Sequence, residues 1–188
     1  MNLQIKPLES DHILYIAAAF QKLGWRKPAS QYEKYLEEQN AGTRNVLVAF
    51  LDDEFAGYLT VVWMTDYPGF CESGIPEIAD FNVLPHLRRK GIGGALMDSA
   101  ETLIATRSNR VGIGVGMNSD YGSAQRMYAK RGYVPDGRGL SYDNRTLAYG
   151  DIVTVDDSLV LHLIKQLDEY GHVSRHEGIQ IESVTQCN

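Results

Sequence analysis

Residues Leu84 to Met97 read LPHLRRKGIGGALM, and no other stretch restricts the chain as strongly. Three cations, Arg88, Arg89 and Lys90, run into Gly91-Ile92-Gly93-Gly94, and an apolar helical pattern follows. The 188-residue chain as a whole carries a formal net charge of −6. A basic, glycine-rich helix start in an acidic protein is a local device. Free N–H groups at a helix N-terminus point at an anion, and the helix dipole favours negative charge there. Glycine lets phosphate oxygens reach the backbone with no Cβ in the way. The preceding cations can meet further phosphates. Spacing argues against two other glycine motifs. Counted from Gly91, Leu96 and Met97 stand where a P-loop wants Gly and Lys. Leu96 also occupies the sixth place of a dinucleotide fingerprint, which needs a small residue there. The stretch therefore reads as a backbone cradle for a pyrophosphate. The alternative is a solvated basic turn.

The flanking pattern gives an α/β or α+β domain with a mixed sheet. Leu3–Ile5 is a short strand. Asp11–Leu23 is a helix with Ser10 as N-cap and Gly24 past its end. Ala29–Gln39 is a second, polar helix. Asn45–Leu51 and Phe55–Met64 form a hairpin about Asp52-Asp53-Glu54, Asp66–Gly74 is a loop, and Glu77–Leu84 is a third strand. Helix follows over Gly91–Thr106, with Ile92, Leu96, Ala100, Leu103 and Ile104 on one face. Val111–Met117 is a strand, Tyr121–Arg131 a helix stopped by Gly132, and Tyr133-Val134 the start of another strand. Asp136–Asp151 is loop-rich, and Ser158–Lys165 closes as a strand. The spacing predicts one domain over 1–170 and a polar tail over 171–188. Hydrophobic residues make up 44 % and charged residues 22 %, as in soluble globular domains. Two cysteines, Cys71 and Cys187, are too few for a disulfide framework and suggest a reducing, cytoplasmic setting. The apolar run near Tyr58–Met64 is far short of a membrane span. The acidic balance argues against broad nucleic-acid binding.

Two signatures carry a family resemblance. Arg88-Arg89-Lys90-Gly91-Ile92-Gly93 matches [RQ]-x-x-G-x-[GA], preceded by Val83-Leu84-Pro85, and Tyr128-Ala129-Lys130-Arg131-Gly132-Tyr133 matches a helix end of the form Y-x-[KR]-x-G-[FY]. In this the chain resembles the GNAT superfamily of N-acetyltransferases over about Leu3 to Lys165. The resemblance implies a mostly antiparallel central sheet flanked by helices, with a strand pair that splays after the acetyl-CoA-binding strand. It implies a pyrophosphate on the amides of about Arg89 to Gly94. It also implies a pantetheine arm that pairs like an extra strand with Phe81, Asn82 and Val83. The expected co-substrate is acetyl-CoA, with no metal. The expected reaction is direct transfer to a primary amine, of a small molecule in the first place, with a protein N-terminus or lysine as the other acceptor. The alternative is a non-catalytic acyl-CoA-binding module. The resemblance allows a homodimer.

Acetyl transfer to an amine needs a base for the ammonium and an acid for the leaving thiolate. The resemblance assigns the acid to Tyr128. For the base, Glu77 lies eleven residues before Arg88, the family's spacing for a strand glutamate, and Asp80 is the second candidate. Strict alternation puts Glu77 with Ala79 and Phe81, and Asp80 with Ile78 and Asn82, so the two carboxylates should face opposite ways. The family's asparagine seven residues before the tyrosine is replaced by Tyr121. Tyr121-Gly122-Ser123 can supply another version of that cofactor contact, with Ser119 or Asp120 as N-cap. Gly112-Ile113-Gly114-Val115-Gly116 leaves one strand face bare, which suits a ligand's close approach or tight packing equally. Trp25, Trp63, Asp66, Tyr67, Tyr142 and Asp151 lie in segments that could face an acceptor, with Trp63 read as core and Asp66 and Tyr67 as solvated loop. Among the five histidines only His172 and His176 have ligand-like spacing, in a tail with no third ligand.

Overall fold

The computed structural model describes residues 2–167. Eight strands form one sheet in the order β1-β2-β3-β4-β5-β8-β6-β7. β1 (Leu3–Pro7), β2 (Arg44–Leu51), β3 (Glu54–Val62) and β4 (Glu77–Val83) make an antiparallel run. β5 (Arg110–Gly116) joins β4 in parallel, and β8 (Leu159–Gln166), β6 (Val134–Tyr142) and β7 (Arg145–Thr146) complete the sheet with antiparallel pairing. The mixed, mostly antiparallel sheet expected from the sequence is the one the chain adopts.

Helices cover both faces because each has one apolar stripe. α1 (His12–Lys22) buries Ile13, Ile16 and Phe20. Together with Tyr32 of α2 (Ala29–Asn40), these close over Val46, Val48 and Tyr58. On the other face, α4 (Ile92–Ala105) buries Ile92, Leu96, Met97, Ala100 and Ile104 against Leu59, Val61, Ile78, Ile113 and Val115. α5 (Gly122–Lys130) adds Tyr128 to the same core. The β2–β3 connection is two residues, Asp52 and Asp53, with φ of 51° and 66°, the left-handed pair that matches strand twist.

Several elements depart from the pattern read in the sequence. Ser10 does not cap α1. Asp11 holds that position without a side-chain cap, and the Glu9 amide donates to His12 Nδ1 at 3.1 Å. Neither Ser119 nor Asp120 caps α5: Tyr121 holds that position without a side-chain cap, and Asn118 caps the preceding 3-10 turn, Ser119–Tyr121, accepting from the Asp120 amide at 3.0 Å. The loop 66–74 contains a short helix, α3 (Pro68–Cys71), begun by proline. The region 136–151, read as loop-rich, contains most of β6 and all of β7. Gly137 and Gly139, at φ of 86° and 80°, form an irregularity in β6 where its ladder with β8 breaks between Pro135 and Leu140. The predicted tail and its His172–His176 pair lie outside the described residues. Among the described residues, no helix is long and apolar enough to cross a membrane.

The feature that positions the site is the join between β4 and β5. The two strands pair only at Glu77–Gly112 and Ile78–Ile113 and then part. The β4 edge from Ala79 to Val83 faces a gap instead of a neighbour.

Candidate active site

A cleft of about 1160 Å³ runs through that gap, from Arg88 and Arg89 at one end, past Phe81, Asn82 and Val83, to His162 at the other. The first end is the glycine stretch. Arg89 and Gly91 adopt left-handed φ of 62° and 83°, so the chain turns sharply into α4. The Ala95 amide reaches the Gly91 carbonyl at 3.0 Å, whereas the amides of Arg89 to Gly94 donate to no backbone carbonyl among the described residues. Open space surrounds Gly91 and Gly94, and a Cβ on Gly93 would crowd the Phe81 ring at 3.3 Å. Arg88, Arg89 and Gly93 line the cleft, Lys90 is exposed beside it, and Ile92 turns its side chain into the core. A row of unpaired amides, no obstructing Cβ and flanking guanidinium groups fit a pyrophosphate. Arg88 also donates through Nε to the Val83 carbonyl at 3.2 Å, tying the turn to the strand.

The expected opposition of Glu77 and Asp80 does not hold. β4 carries a bulge: Ala79 pairs with Thr60 and Asn82 with Tyr58, so two residues of β3 are spaced against a longer stretch of β4. Asp80 takes the strain, at φ of 46°. The extra residue resets the alternation. Glu77, opposite Val62, and Asp80, bonded to Tyr58, both stand on the α1–α2 side, whereas Ile78, Phe81 and Val83 pack on the α4 side. Asp80 is saturated there. Oδ1 accepts from Lys27 Nζ at 2.5 Å and from Asn82 at 2.8 Å, and Oδ2 accepts from Gln31 at 2.8 Å, Tyr35 at 3.0 Å and Tyr58. Burial, with the Asp80 charge adding to it, raises the phenols beyond their ordinary values, Tyr35 to about 12 and Tyr58 further. They remain donors.

Glu77 has one donor instead of five. The Thr65 hydroxyl bonds to Oε2, and the other oxygen has no partner among the described residues. Burial raises its carboxyl above the usual range, the Thr65 bond opposes this, and neighbouring Asp66 adds to it. Thr65 also receives the Tyr67 amide at 3.2 Å. Tyr67 is not a solvated loop residue: it is buried, donates to Asp136 Oδ2 at 2.7 Å and stacks on the His162 ring with centroids 3.4 Å apart. Burial and the Asp136 bond push its phenol up.

Tyr128 lines the cleft from the α4 side. Its ring is packed beside Tyr133 at 5.9 Å, and its hydroxyl has no hydrogen-bond partner among the described residues. Burial raises its pKa, with Tyr121 contributing, so the phenol keeps its proton. Tyr121 and Ser123 also line the cleft, and Tyr121 donates to Asp157 at 3.2 Å. The bare face of β5 is closely packed: a Cβ on Gly112 would strike Phe70 at 2.4 Å, and one on Gly116 would strike Tyr121 at 2.5 Å. Only Gly114 and Gly116 of that face also border the cleft.

Of the six acceptor-side candidates, Trp25 lines the cleft and Tyr67 backs His162. Trp63, as expected, packs at the core edge, with Nε1 on Asn45 at 2.8 Å. Asp66, Tyr142 and Asp151 are not among the lining residues. Sequence reasoning missed Lys27 and His162. The signal for His162 was present, because it is the polar member of an alternating face in Leu159-Val160-Leu161-His162-Leu163.

The model of the acetyltransferase (GNAT) family matches residues 13–133. The chain belongs to this family. Solved structures share the fold at low identity. RimL, a ribosomal alpha-N-protein acetyltransferase in its apo form, is 12 % identical, with a TM-score of 0.65 over 89 % of this chain and 95 % of its own. A spermidine N-acetyltransferase SpeG chimera from Vibrio cholerae and hSSAT is 13 % identical, with a TM-score of 0.63 over 88 % and 96 %. The PaiA N-acetyltransferase from Thermoplasma acidophilum, in complex with coenzyme A, is 13 % identical, with a TM-score of 0.60 over 88 % and 99 %. No curated protein matches this sequence.

Proposed function

We propose that this chain is an N-acetyltransferase that takes acetyl-CoA as donor and a small-molecule primary amine as acceptor, by direct transfer in a ternary complex. The observation that carries the reading is the row of amides from Arg89 to Gly94 with no partner among the described residues, opening onto a cleft that passes between β4 and β5. The coenzyme A complex of the PaiA relative supports the donor. The neighbours' own acceptors, a protein amino group and spermidine, are both amines.

Acetyl-CoA, when bound, supplies an activated thioester. Arg88, Arg89, Lys90 and the amides of Gly91 to Gly94 hold the phosphates, with the Ile92 amide among them and its side chain as anchor. The open edge at Phe81, Asn82 and Val83, together with Tyr121 and Ser123, guides the arm. Glu77 takes a proton from the acceptor ammonium, directly or through one water, because its burial-raised carboxyl is the more basic for it. The alternative base, Asp80, has both oxygens occupied by donors and serves instead to hold Lys27 and α2 against β4. Glu77 passes that proton to solvent and takes the second from the nitrogen as the new C–N bond forms; as the C–S bond breaks, Tyr128 gives its proton to the departing sulfur and recovers one from solvent. Both cysteines lie outside this scheme.

Thermal melting with and without acetyl-CoA tests the reading. A ligand at about 100 times its dissociation constant adds roughly 2.7 kcal/mol. Gly94→Glu should abolish the shift, since open space there accommodates the new carboxylate while its charge repels phosphate. Gly91→Glu should do the same, with added strain at its left-handed φ. No shift in the wild type defeats the proposal. A shift with no thiol release from any amine leaves the non-catalytic binding module.

A further inference from the structure

The mechanism above leaves unused a histidine on the far wall of the cleft. His162 lies opposite Gly114 across the β5–β8 ladder and is 2 % exposed. Three contacts fix its ring. Tyr67 stacks on it at 3.4 Å between centroids and 3° between planes, Phe70 packs edge-on at 5.3 Å, and Nδ1 lies 3.2 Å from Ser141 Oγ. The Ser141 hydroxyl lies within reach of both the Val160 carbonyl, at 3.4 Å, and Nδ1, at 3.2 Å. When it donates to the carbonyl it accepts from Nδ1, and that arrangement, with the proton on Nδ1, leaves Nε2 an acceptor. Nε2 has no hydrogen-bond partner among the described residues. It lies 3.6 Å from where a Cβ on Gly114 would stand, so glycine at 114 keeps it open to the cleft.

Tyr128 and His162 line one cleft from opposite faces of the sheet, Tyr128 among the α4-side core and His162 among Tyr67 and Phe70. Glu77 stands on His162's side, linked to the same wall through Thr65 and Tyr67. On the acetyltransferase reading, on which this inference rests, the proton donor for the leaving group is on one side and the amine must enter from the other.

We propose that His162 Nε2 accepts a hydrogen bond from the acceptor's amine nitrogen and, with Glu77, fixes the direction of its lone pair, which makes His162 an acceptor-recognition residue. A primary amine that has lost one proton to Glu77 keeps two N–H bonds, one for Nε2 and one for the Glu77 side, while its lone pair points into the gap. A secondary amine has only one and cannot satisfy both. Burial holds the imidazole down to about 4, so it stays neutral beside a cationic acceptor.

Two measurements test this. In ¹⁵N-histidine NMR of the full chain, with His162→Phe assigning the signal, the proton should be on Nδ1 and Nε2 should be bare. A proton on Nε2 overturns the inference, whatever the activity. With benzylamine as probe, His162→Phe keeps the aromatic stack and loses the acceptor atom. It should raise the amine KM roughly tenfold, as expected for one lost hydrogen bond, and leave the KM of acetyl-CoA unchanged. His162→Gln, which returns a carbonyl oxygen near Nε2, should recover most of that loss. An unchanged amine KM in His162→Phe overturns the inference; if benzylamine is not acetylated, the tautomer alone decides. Failure of the underlying reading appears elsewhere, as a melting curve that acetyl-CoA does not move.

Discussion

At the scale of single residues, two carboxylates three positions apart have been given different tasks by their surroundings. Asp80 meets five donors and Glu77 meets one. A carboxylate has about four lone-pair sites, so Asp80 has none left for a substrate proton. Glu77→Gln should therefore lower kcat by roughly 10²-fold or more. It should also remove the limb of the pH–rate profile that rises as Glu77 loses its proton, at a pH above the ordinary carboxylate range. Tyr128→Phe should lower kcat by a similar factor, about 10²-fold, while the acetyl-CoA-induced melting shift persists. Equal activity in either variant, measured by thiol release, removes that residue from the mechanism. The glycine stretch was legible in the sequence because its chemistry is local: a helix start, cations and missing Cβ atoms act over one turn. The division of labour between Glu77 and Asp80 was not, because Lys27, Gln31, Tyr35 and Tyr58 come from three other segments of the chain.

At the scale of elements, alternation read along β4 gave the wrong face for Asp80 because a bulge adds a residue, and no glycine announces it. Asp80 is itself the left-handed residue, held there by its bonds to α2 and β3. Such a conformation persists only where the surroundings over-determine it. Asp80→Ala should then cost about 3 kcal/mol, because it strands the partly buried Lys27 ammonium and four further donors. Denaturant melts read this directly, and a loss well under 1 kcal/mol would show that the bulge holds itself. The same limit hid the length of β6: its start at Val134 was readable, but Gly137 and Gly139 look like loop punctuation and instead bend a paired strand. By contrast, helices α1, α2, α4 and α5 and strands β2 to β5 were readable, since each shows a clear apolar stripe or alternation.

At the scale of the whole molecule, two buried groups pull stability in opposite directions with pH. His162 has its folded pKa lowered to about 4 from 6.5, so its contribution is present above about 6.5 and lost as pH falls through about 4. The full effect is about 3 kcal/mol. Glu77 has its folded pKa raised, so its contribution is present below 4.5 and lost as pH rises through the folded value. Acidification from pH 7 to 4 should thus weaken the wild type, and His162→Phe should flatten that decline in a series of melting curves; parallel declines would contradict it. Burial of both groups beside one cleft follows from the narrow join between β4 and β5. That join divides the sheet into two leaves, each continuous in sequence, residues 3–83 and 110–166, stitched by two residue pairs. A guest strand laid along the open β4 edge would therefore be a rivet as well as a reactant. Pulled across the seam, the empty protein resists with two ladder pairs, the helix that bridges them and the contacts of Tyr67 and Phe70 with Asp136 and His162, whereas an occupant would add resistance along the β4 edge.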